Sequence, residues 1–403
     1  MEKEEIKVAI LGGGYAGLQA AIELDKKGFS PILIDKNSYH DLLPEIPHII
    51  SERSLKTKVP FSELFNKKNI QFVQDEIVRI NYQNKSVELK NKQHINFDYL
   101  VIALGSQTNF FNIPGLQENS MTFHSTDKVI KFLDHIKACF AKAKNIEKSS
   151  EEYASLLSIV VGGGGLTGVE VAGELIHELP IIAEEIGINP GDVKLHLIEA
   201  NKNLLTVLDK DISDKVTNFY KSQESLDLIL GCPIKEAFPD KVELANGRVI
   251  PTKTILWTGG IRANAFVDKP FLDENGNEAK FPCGRGFRLE VDEYYRIKDI
   301  PNTYAIGDNA MVMDPESNQP VPQNGQAAYK QGKNVAYHII ADMNKKTIKP
   351  GEIVLDGLMV SLGPKKGTGM IINPFTFYLP VSLSSRIFKK AIELRYKLLD
   401  IRR

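Results

Sequence analysis

Two glycine-rich loops of the same type occur in this 403-residue chain. Residues 12–17 read Gly-Gly-Gly-Tyr-Ala-Gly, and residues 163–168 read Gly-Gly-Gly-Leu-Thr-Gly. Each loop follows an apolar run and precedes a helix-like stretch, a setting in which the backbone can approach a dinucleotide pyrophosphate at a helix N-terminus. One such match would be weak evidence, because glycine-rich turns are common. Two of them predict two dinucleotides in one polypeptide, and therefore electron transfer between them.

Each loop is followed by an acidic residue at the spacing that such sites use. Asp35 comes about twenty residues after the first glycines, and Glu199 ends the corresponding run after the second loop. A carboxylate at this point accepts hydrogen bonds from the ribose hydroxyls of an adenosine. The residues directly after Glu199 include no arginine for a 2′-phosphate, although Lys202 is near. The second loop is therefore predicted to bind NADH rather than NADPH.

The two loops lie in the same local order of predicted elements. An apolar strand leads into each loop, a helix leaves it, and a second strand ends at the acidic residue, as in a parallel dinucleotide-binding fold. The predicted elements are strand 6–11, helix 16–27 and strand 32–35 around the first loop, and strand 157–161, helix 168–179 and strand 193–198 around the second. Further strands are predicted at 97–106, 254–260 and 302–308, antiparallel strands at 70–89, and helices at 127–144 and 326–343.

The order of these elements predicts an α/β protein with two Rossmann-like domains, the second inserted into the first. We expect the first domain to consist of residues 1–120 and 266–345. Residues 121–265 are expected to form the second domain, and residues 346–403 a separate C-terminal region.

Composition narrows the possible functions. The chain has 50 Lys and Arg against 51 Asp and Glu, so its overall charge does not favour nucleic acid as a partner. No apolar run approaches the ~20 residues that a membrane span requires. Cys139, Cys232 and Cys283 are far apart and form no C-x-x-C pair, which predicts free thiols in a reducing cytosol. Because the histidines are also scattered, no metal site is expected.

Further segments extend the pattern over nearly the whole chain: residues 99–105, 163–174 (GGGLTGVEVAGE), 257–260, 304–308 and 323–331 (QNGQAAYKQ). Together with the first loop, they make the chain resemble the two-dinucleotide flavoproteins that include the pyridine-nucleotide disulfide reductases. Within that group it is most similar to the type II NADH:quinone oxidoreductases. The resemblance implies tightly bound FAD in the first fold and NADH as the substrate of the second. It also implies hydride transfer to FAD and reduction of a membrane quinone without proton pumping.

The resemblance also implies which residues contact the two dinucleotides. Asp308 is expected to accept a hydrogen bond from a ribityl or phosphate-linked hydroxyl of FAD, and a turn cap is its alternative role. The set implied for FAD is Gly12, Gly14, Tyr15, Ala16, Gly17, Asp35, Lys36, Ala103, Gly105, Asp308 and Gln326. The set implied for NADH is Gly163, Gly165, Gly168, Glu199 and Gly260.

Three residues are candidates for the redox step: Glu170, Gln326 and Lys330. Glu170, on the first turn of the second loop helix, is placed to orient the nicotinamide or the flavin or to relay protons, and its alternative role is to stabilise the helix N-terminus. Gln326 begins a helix whose N-terminus is expected to face the flavin, and it corresponds to a residue of the quinone pocket. Related enzymes usually carry a glutamine where this chain has Lys330, which either lines that pocket or is solvated. His40 is expected to be structural rather than a proton carrier.

Residues 372–403 predict a membrane-contact segment. An aromatic and apolar stretch, residues 375–383, precedes a segment in which apolar and basic residues alternate, as in a basic amphipathic helix. Such a helix lies in the plane of the interface and meets anionic headgroups, whereas the alternative is a helix packed on the core or on a second subunit. We therefore expect a peripheral enzyme on the cytoplasmic face of the cell membrane, with a homodimer as a further expectation. The basic residues are Arg386, Lys389, Lys390, Arg395, Lys397, Arg402 and Arg403.

Other functions share parts of this pattern. A sulfide:quinone oxidoreductase uses the same flavin and membrane but needs two cysteines near the flavin, one of them late in the chain, and none follows Cys283. An NADH-dependent ferredoxin or rubredoxin reductase would dock an acidic protein on the basic tail, and a flavin-binding regulator would sense NADH without turnover. Disulfide reductases are disfavoured, because residues 40–53 contain no cysteine.

Overall fold

The first glycine loop leaves the central strand of a five-stranded parallel sheet. The computed structural model describes residues 6–315, 317–372 and 375–402, and Arg403 of the predicted basic segment lies outside them. Parallel sheets are covered by helices on both faces, which accounts for the uniformly buried central strands. In spatial order the strands are Thr303–Ala305, Tyr99–Ile102, Val8–Leu11, Ile32–Asp35 and Gln71–Gln74.

The second glycine loop leaves the central strand of a second parallel sheet with the same arrangement. In both sheets the strand that ends in the acidic residue is the next neighbour on one side. The strands are, in spatial order, Met121–Thr122, Thr254–Trp257, Ser158–Gly162, Lys194–Glu199 and Leu226–Leu230. The fold class is therefore confirmed as two Rossmann-like units. The first sheet receives its strand Thr303–Ala305 from beyond the second unit, as the predicted insertion requires, while the exact domain limits remain a prediction.

The glycines of both loops are required by close backbone contacts. Gly12 and Gly163 have φ of +101° and +108°, which disfavours any side chain. A Cβ at Gly17 would lie 1.9 Å from the carbonyl oxygen of Gly12, and a Cβ at Gly168 would lie 1.8 Å from that of Gly163. The loops therefore turn tightly into the first loop helix, Tyr15–Lys26, and the second loop helix, Leu166–Ile186.

A long helix, Gly325–Met343, packs on the first loop helix. Their backbones approach so closely that a Cβ at Gly332 would lie 2.3 Å from the carbonyl oxygen of Ala16. This contact fixes the N-terminus of the long helix beside the first glycine loop, where a Cβ at Gly325 would lie 3.4 Å from the Tyr15 ring. The N-termini of these two helices therefore lie close together, and that the long helix faces the flavin stays a prediction.

The remaining elements cover the two sheets or connect them. The strands are Tyr39–Asp41, Lys58–Pro60, Ile77–Asn81, Ser86–Leu89, His94–Asn96, Ser106–Thr108, Ile234–Ala237, Lys241–Leu244, Val249–Pro251, Ile261–Ala263, Phe271–Leu272, Glu278–Ala279, Leu289–Glu290, Ala310–Met311, Gly357–Ser361, Gly367–Ile371 and Phe377–Ser382. The helices are Phe61–Leu64, Leu116–Asn119, Thr126–Ala143, Glu151–Leu156, Lys210–Lys221 and Leu383–Arg395, with a π-turn at Tyr396–Asp400. The 3-10 turns are Leu43–Ile50, Pro190–Asp192, Ala265–Asp268, Arg285–Phe287 and Gly307–Asn309.

Three predicted elements differ from those observed. The region 70–89 contains an antiparallel pair, but its first strand, Gln71–Gln74, is a parallel member of the first sheet. The second loop helix continues to Ile186 rather than ending near residue 179, and it runs through Pro180. The polar stretch 146–153, for which the sequence predicts only a linker within the second domain, runs into the helix Glu151–Leu156, where the Ser150 side chain accepts the N–H of Tyr153.

The C-terminal helix, Leu383–Arg395, turns two of its basic residues toward the protein and much of its apolar surface outward. Arg386 and Lys389 are buried, whereas Leu383 and Ile387 are 56% and 60% exposed, and Lys390 and Arg395 are exposed as well. The predicted contact of Arg386 and Lys389 with lipid headgroups is therefore wrong, because Lys389 contacts the buried Glu170 and Arg386 lies near Glu52. Among the described residues, no helix combines the length and apolar character needed to traverse a bilayer.

Candidate functional site

Asp35 is bonded directly to the first glycine loop. One carboxylate oxygen, Oδ2, accepts the N–H of Gly13 at 2.7 Å, and Oδ1 accepts the N–H of Asn37 at 2.8 Å. Burial raises the pKa of Asp35, while these backbone N–H groups act in the opposite direction. The carboxylate is thus held beside the loop, where a ribose is expected, and Lys36 is exposed next to it.

Asp308 lies on the other side of the first loop, among residues that the sequence predicted to contact FAD. Ser106 Oγ donates to Asp308 Oδ2 at 2.9 Å, and the N–H of Gly105 donates to Asn309 Oδ1 at 3.0 Å. Burial raises the pKa of Asp308. A Cβ at Gly12 would lie 2.4 Å from the carbonyl oxygen of Ala103, so this strand end touches the loop. The structure therefore brings the predicted FAD residues of three distant segments together.

Two glutamines hold the Asp308 segment in place, and no sequence motif indicates either role. Gln331 Oε1 accepts the N–H of Gly307 at 2.6 Å, and Gln323 Nε2 donates to the carbonyl oxygen of Asp308 at 2.7 Å. Gln331 is buried on the long helix. Its buried side chain signals a local polar partner, but a sequence does not show which one.

Gln326 and Lys330 are both bonded to the segment 354–356. Gln326 Oε1 accepts the N–H of Asp356 at 2.8 Å, and Lys330 Nζ contacts Asp356 Oδ1 at 3.0 Å and the carbonyl oxygen of Val354. The two side chains lie on successive turns of the long helix, whose first turn is capped by Asn324. Lys330 is therefore not freely solvated. It is held by Val354 and Asp356, which are not among the residues predicted to contact FAD.

The second loop repeats the geometry of the first. Glu199 Oε2 accepts the N–H of Gly164 at 2.6 Å, and its Oε1 accepts the N–H of Asn201 at 2.7 Å. Thr258 Oγ1 lies 3.0 Å from the carbonyl oxygen of Gly163 and fastens the loop to the neighbouring strand. Gly260, predicted to contact NADH, follows that strand with φ of +159°. The predicted NADH residues therefore lie at one sheet edge.

Glu170 is buried and paired with a lysine from the far end of the chain. Lys389 Nζ contacts Glu170 Oε1, and the N–H of Ser361 donates to the same oxygen at 2.9 Å. The side chains of Lys389 and Glu170 are only 7% and 9% exposed. A pair so far apart in sequence could not be assigned from patterns, and Lys389 is the main site residue that the sequence analysis misplaced.

His40 is a structural histidine in this geometry. Its Nδ1 lies 3.0 Å from the carbonyl oxygen of Gly13, so Nδ1 carries the hydrogen, and its Nε2 accepts from the Tyr396 hydroxyl at 3.3 Å. Burial lowers the pKa of His40 to about 4, and the ring is therefore neutral near neutral pH. Tyr396 also stacks on Tyr15, with ring centroids 4.7 Å apart.

A cationic cluster lies beside Lys36. Lys128 Nζ contacts Thr122 Oγ1 at 2.6 Å and His124 Nε2 at 3.0 Å. Burial lowers the pKa of His124 to about 4, and the charges of Lys128 and Lys36 act in the same direction. His124 and Lys128 line a cavity of about 520 Å³. No motif distinguished these two residues in the sequence.

The cysteines form no redox pair. Cys139 and Cys232 are buried, Cys283 is exposed, and all three are free. Within residues 6–315, 317–372 and 375–402, no group of three or more His, Cys, Asp or Glu side chains could hold a metal ion.

This chain is similar to known proteins over most of its length. The profile of the family described as pyridine nucleotide-disulphide oxidoreductase matches residues 6–332. The type II NADH:quinone oxidoreductase of Staphylococcus aureus is 28% identical over 98% of this chain and 96% of its own. The structure of NDH2 from Plasmodium falciparum in complex with NADH has a TM-score of 0.84 at 20% identity, covering 99% of this chain and 96% of that one. The sulfide:quinone oxidoreductase of Aquifex aeolicus has a TM-score of 0.78 at 20% identity, covering 98% and 91%.

Proposed function

The chain belongs to the pyridine nucleotide-disulphide oxidoreductase family, and from this premise we propose that it is a type II NADH:quinone oxidoreductase. The observation that carries the proposal is the pair of glycine loops, each with an acid bonded to its backbone N–H, in a chain without a cysteine pair. The Staphylococcus aureus relative of that name matches over nearly the whole chain, which supports a quinone rather than a disulfide as the acceptor.

The residues of the first fold fit FAD. Gly17 has no room for a side chain, and Gly14, which precedes the first loop helix, offers no side chain to cap it, so backbone N–H groups are free for a pyrophosphate. Asp35 and Asp308 lie on either side of this loop as acceptors for ribose and ribityl hydroxyls. When bound, FAD supplies the chemistry of hydride acceptance and electron transfer, and the protein supplies its position.

The residues of the second fold fit NADH. Glu199 is placed to accept both ribose hydroxyls, and a 2′-phosphate would meet its carboxylate instead of an arginine. Gly163, Gly165 and Gly168 form the pyrophosphate cradle. The preference for NADH over NADPH follows from charge repulsion between the Glu199 carboxylate and the 2′-phosphate of NADPH.

Glu170 and Lys389 are the residues that we assign to the redox step. Reduction of a quinone by NADH consumes one proton beyond the hydride, and a buried carboxylate–ammonium pair is able to hold a proton where water is excluded. The N-terminus of the long helix stabilises negative charge near the first loop. Gln326 and Lys330 are proposed to contact quinone, which requires them to exchange their bonds to residues 354–356.

Anaerobic spectroscopy of the purified protein tests this function. We expect a yellow protein whose flavin absorbance is bleached by NADH, much less by NADPH and not by sulfide, and is restored by a short-chain quinone. Bleaching by sulfide would favour a sulfide:quinone oxidoreductase. Reoxidation only by a ferredoxin or rubredoxin would favour a reductase with a protein acceptor, and a colourless protein that cannot be reconstituted with FAD would overturn the proposal.

We further propose that the outer apolar face of the C-terminal region docks on a bilayer. The side chains of this face are exposed, whereas Arg386 and Lys389, whose ion pairs hold the C-terminal helix to the protein, are buried. A membrane-dissolved substrate explains why the protein leaves so many large apolar side chains in water. The outer apolar face consists of Phe375, Phe377, Leu383, Ile387, Ile392, Leu394 and Leu398.

Point substitutions test docking more cleanly than truncation. Deleting residues 384–403 is expected to release the protein from membranes, but it also removes Lys389 from Glu170. The double variant Ile387→Glu, Leu398→Glu keeps that pair and should abolish cosedimentation with phosphatidylglycerol vesicles while leaving flavin bleaching by NADH intact. Val207→Glu, at an 83% exposed position elsewhere, is the control. Undiminished cosedimentation would contradict bilayer docking, and conversion of a dimer to monomers would assign the face to a second copy.

A further inference from the structure

His48 lies where three parts of the chain meet. It belongs to the turn Leu43–Ile50, which packs on the second loop helix, and its ring also faces the C-terminal helix. Nδ1 lies 2.9 Å from Glu174 Oε1, and the side chains of His48 and Glu174 are 2% and 0% exposed. A histidine buried this deeply must have partners for both ring nitrogens.

The second ring nitrogen faces two groups of opposite charge. Nε2 lies 3.5 Å from Glu393 Oε1 and 3.3 Å from Lys389 Nζ. A protonated Nε2 donates toward Glu393, whereas a neutral ring presents a lone pair that accepts from Lys389. The ring therefore has two states, and each selects a different partner on the C-terminal helix.

The surrounding charges favour the protonated state. Glu174 and Glu170 face His48 from the second loop helix, Glu393 faces it from the C-terminal helix, and Glu45 lies on its own turn. The cations near these carboxylates are Lys389, which contacts Glu170 and Glu393, Arg386, whose charge acts on Glu393, and Lys397, which lies 3.6 Å from Glu45.

The carboxylates next to the ring outnumber the nearby ammonium group. Glu393 Oε1 is buried without a well-aligned hydrogen bond among the described residues, and it therefore depends on nearby positive charge. The pKa of His48 is raised: burial acts to lower it, but the adjacent carboxylates of Glu174 and Glu393 outweigh that effect, and Lys389 opposes the rise.

We propose that His48 is a positioning residue whose protonated ring holds Glu174 and Glu393 and so leaves Lys389 to Glu170. When the ring loses its proton, Nε2 competes with Glu170 for the hydrogens of Lys389. The state of His48 then sets both the environment of Glu170 and the attachment of the C-terminal helix. The catalytic meaning of this arrangement rests on the proposed function, but the arrangement itself does not.

The predicted pH dependence has a definite sign. A histidine whose pKa is raised on folding stabilises the folded state fully below its unfolded pKa and loses that contribution as pH rises through the folded pKa. The attachment of the C-terminal helix to the turn Leu43–Ile50 and to the second loop helix should therefore weaken from neutral toward alkaline pH. A histidine that merely fills space would give no such dependence.

Imidazole NMR of the FAD-loaded protein tests the proposal without turnover. The His48 signal, assigned by its loss in His48→Gln, should titrate above the ordinary histidine range. Lys389→Met should move its midpoint up, and Glu393→Gln should move it down, each by about one pH unit. His94→Gln, at an exposed strand position, is the control and should leave the His48 signal unchanged.

Thermal unfolding is a second measurement, and it reports on the attachment of the C-terminal helix. It also applies to variants that are too unstable for NMR. The difference in Tm between wild type and His48→Gln should shrink as pH rises through the midpoint. A midpoint below the ordinary range, a midpoint indifferent to both Lys389→Met and Glu393→Gln, or a Tm difference constant with pH would each overturn the proposal. Failure of NADH to bleach the flavin would overturn the proposed function while leaving these results standing.

Discussion

The two dinucleotide folds share a strand order but differ in what packs on each loop helix. In the first fold, the long helix crosses the loop helix at its first turn, where Gly332 meets Ala16. In the second fold, the contact comes farther along, where a Cβ at Gly173 would lie 2.5 Å from the backbone nitrogen of Gly363. The start of the first loop helix is therefore covered by another long helix, whereas near the start of the second loop helix Glu170 is covered by Ser361 and by Lys389 of the C-terminal helix.

This difference shows how one motif serves two purposes. Both loops offer equivalent backbone N–H groups, and each has an acid bonded to its second glycine, Asp35 in one and Glu199 in the other. The motif alone therefore does not distinguish a resident cofactor from a transient substrate. In the first fold Asp308, Gln331 and the long helix surround the loop. We infer that these additional segments retain FAD in the first fold.

Matched glycine substitutions should separate the two folds most strongly. Gly17→Ala forces a Cβ against the Gly12 carbonyl and should prevent FAD binding, with a loss of about 4 kcal/mol or more in folding free energy. Gly168→Ala forces a Cβ to within 1.8 Å of the Gly163 carbonyl oxygen and should carry a similar folding cost, but it should leave the protein yellow and unable to be bleached by NADH. Flavin absorbance per protein and stopped-flow bleaching measure these effects. Gly191→Ala, where the nearest atom is 3.4 Å away, is the control. A yellow, NADH-reducible Gly17→Ala protein would refute the assignment.

Replacing Asp35 or Glu199 should weaken nucleotide binding less than the glycine substitutions do, and each replacement should affect only one of the two nucleotides. Each carboxylate is expected to accept ribose hydroxyls in charge-assisted hydrogen bonds of about 1.5–3 kcal/mol, which corresponds to roughly 10- to 100-fold in affinity. Glu199→Ala should raise the KM for NADH without loss of FAD, and Asp35→Ala should weaken FAD binding. KM measurements and flavin dialysis test the pair. If Glu199→Ala lost FAD as well, the division of labour between the folds would be wrong.

Mild acid should release FAD from the first fold. Burial raises the pKa values of Asp35 and Asp308, so each carboxylate is protonated at a higher pH than in the unfolded chain. A protonated group no longer accepts two hydroxyl hydrogen bonds, and FAD affinity should therefore fall as pH falls through these pKa values. Flavin fluorescence of released FAD measures this loss. Asp35→Asn should flatten the dependence, and an equally steep curve in that variant would contradict the assignment to Asp35.

The smallest expected effect concerns the side chains that brace the loop carbonyls. His40 holds the carbonyl of Gly13, and Thr258 holds that of Gly163. Thr258→Val should cost about 1 kcal/mol in the free energy of unfolding. It should raise the KM for NADH slightly and leave FAD retention unchanged. Urea denaturation and steady-state kinetics measure the two quantities, and a loss of FAD would show that the brace acts across both folds.

The sequence predicted the parts of the site that are local. Each loop and its acid lie within one strand–helix–strand unit, and their chemistry requires particular residues at fixed spacing. The Glu170–Lys389 pair joins the second loop helix to the end of the chain, and no local pattern encodes such a contact. An alternation of basic and apolar residues does not tell which side of the C-terminal helix faces the core. Here Lys389 turns inward to the buried Glu170, whereas Lys390 and Arg395 stay exposed.

The acids that fasten both loops have a consequence for assembly. Because Asp35 and Glu199 bond the loop backbones through the chain's own side chains, these bonds help to order both loops as the chain folds. The conformational entropy of ordering them is lost during folding and not at the moment of binding. The apoprotein should therefore take up FAD at a rate set by diffusion and access, without a slow rearrangement of the loop.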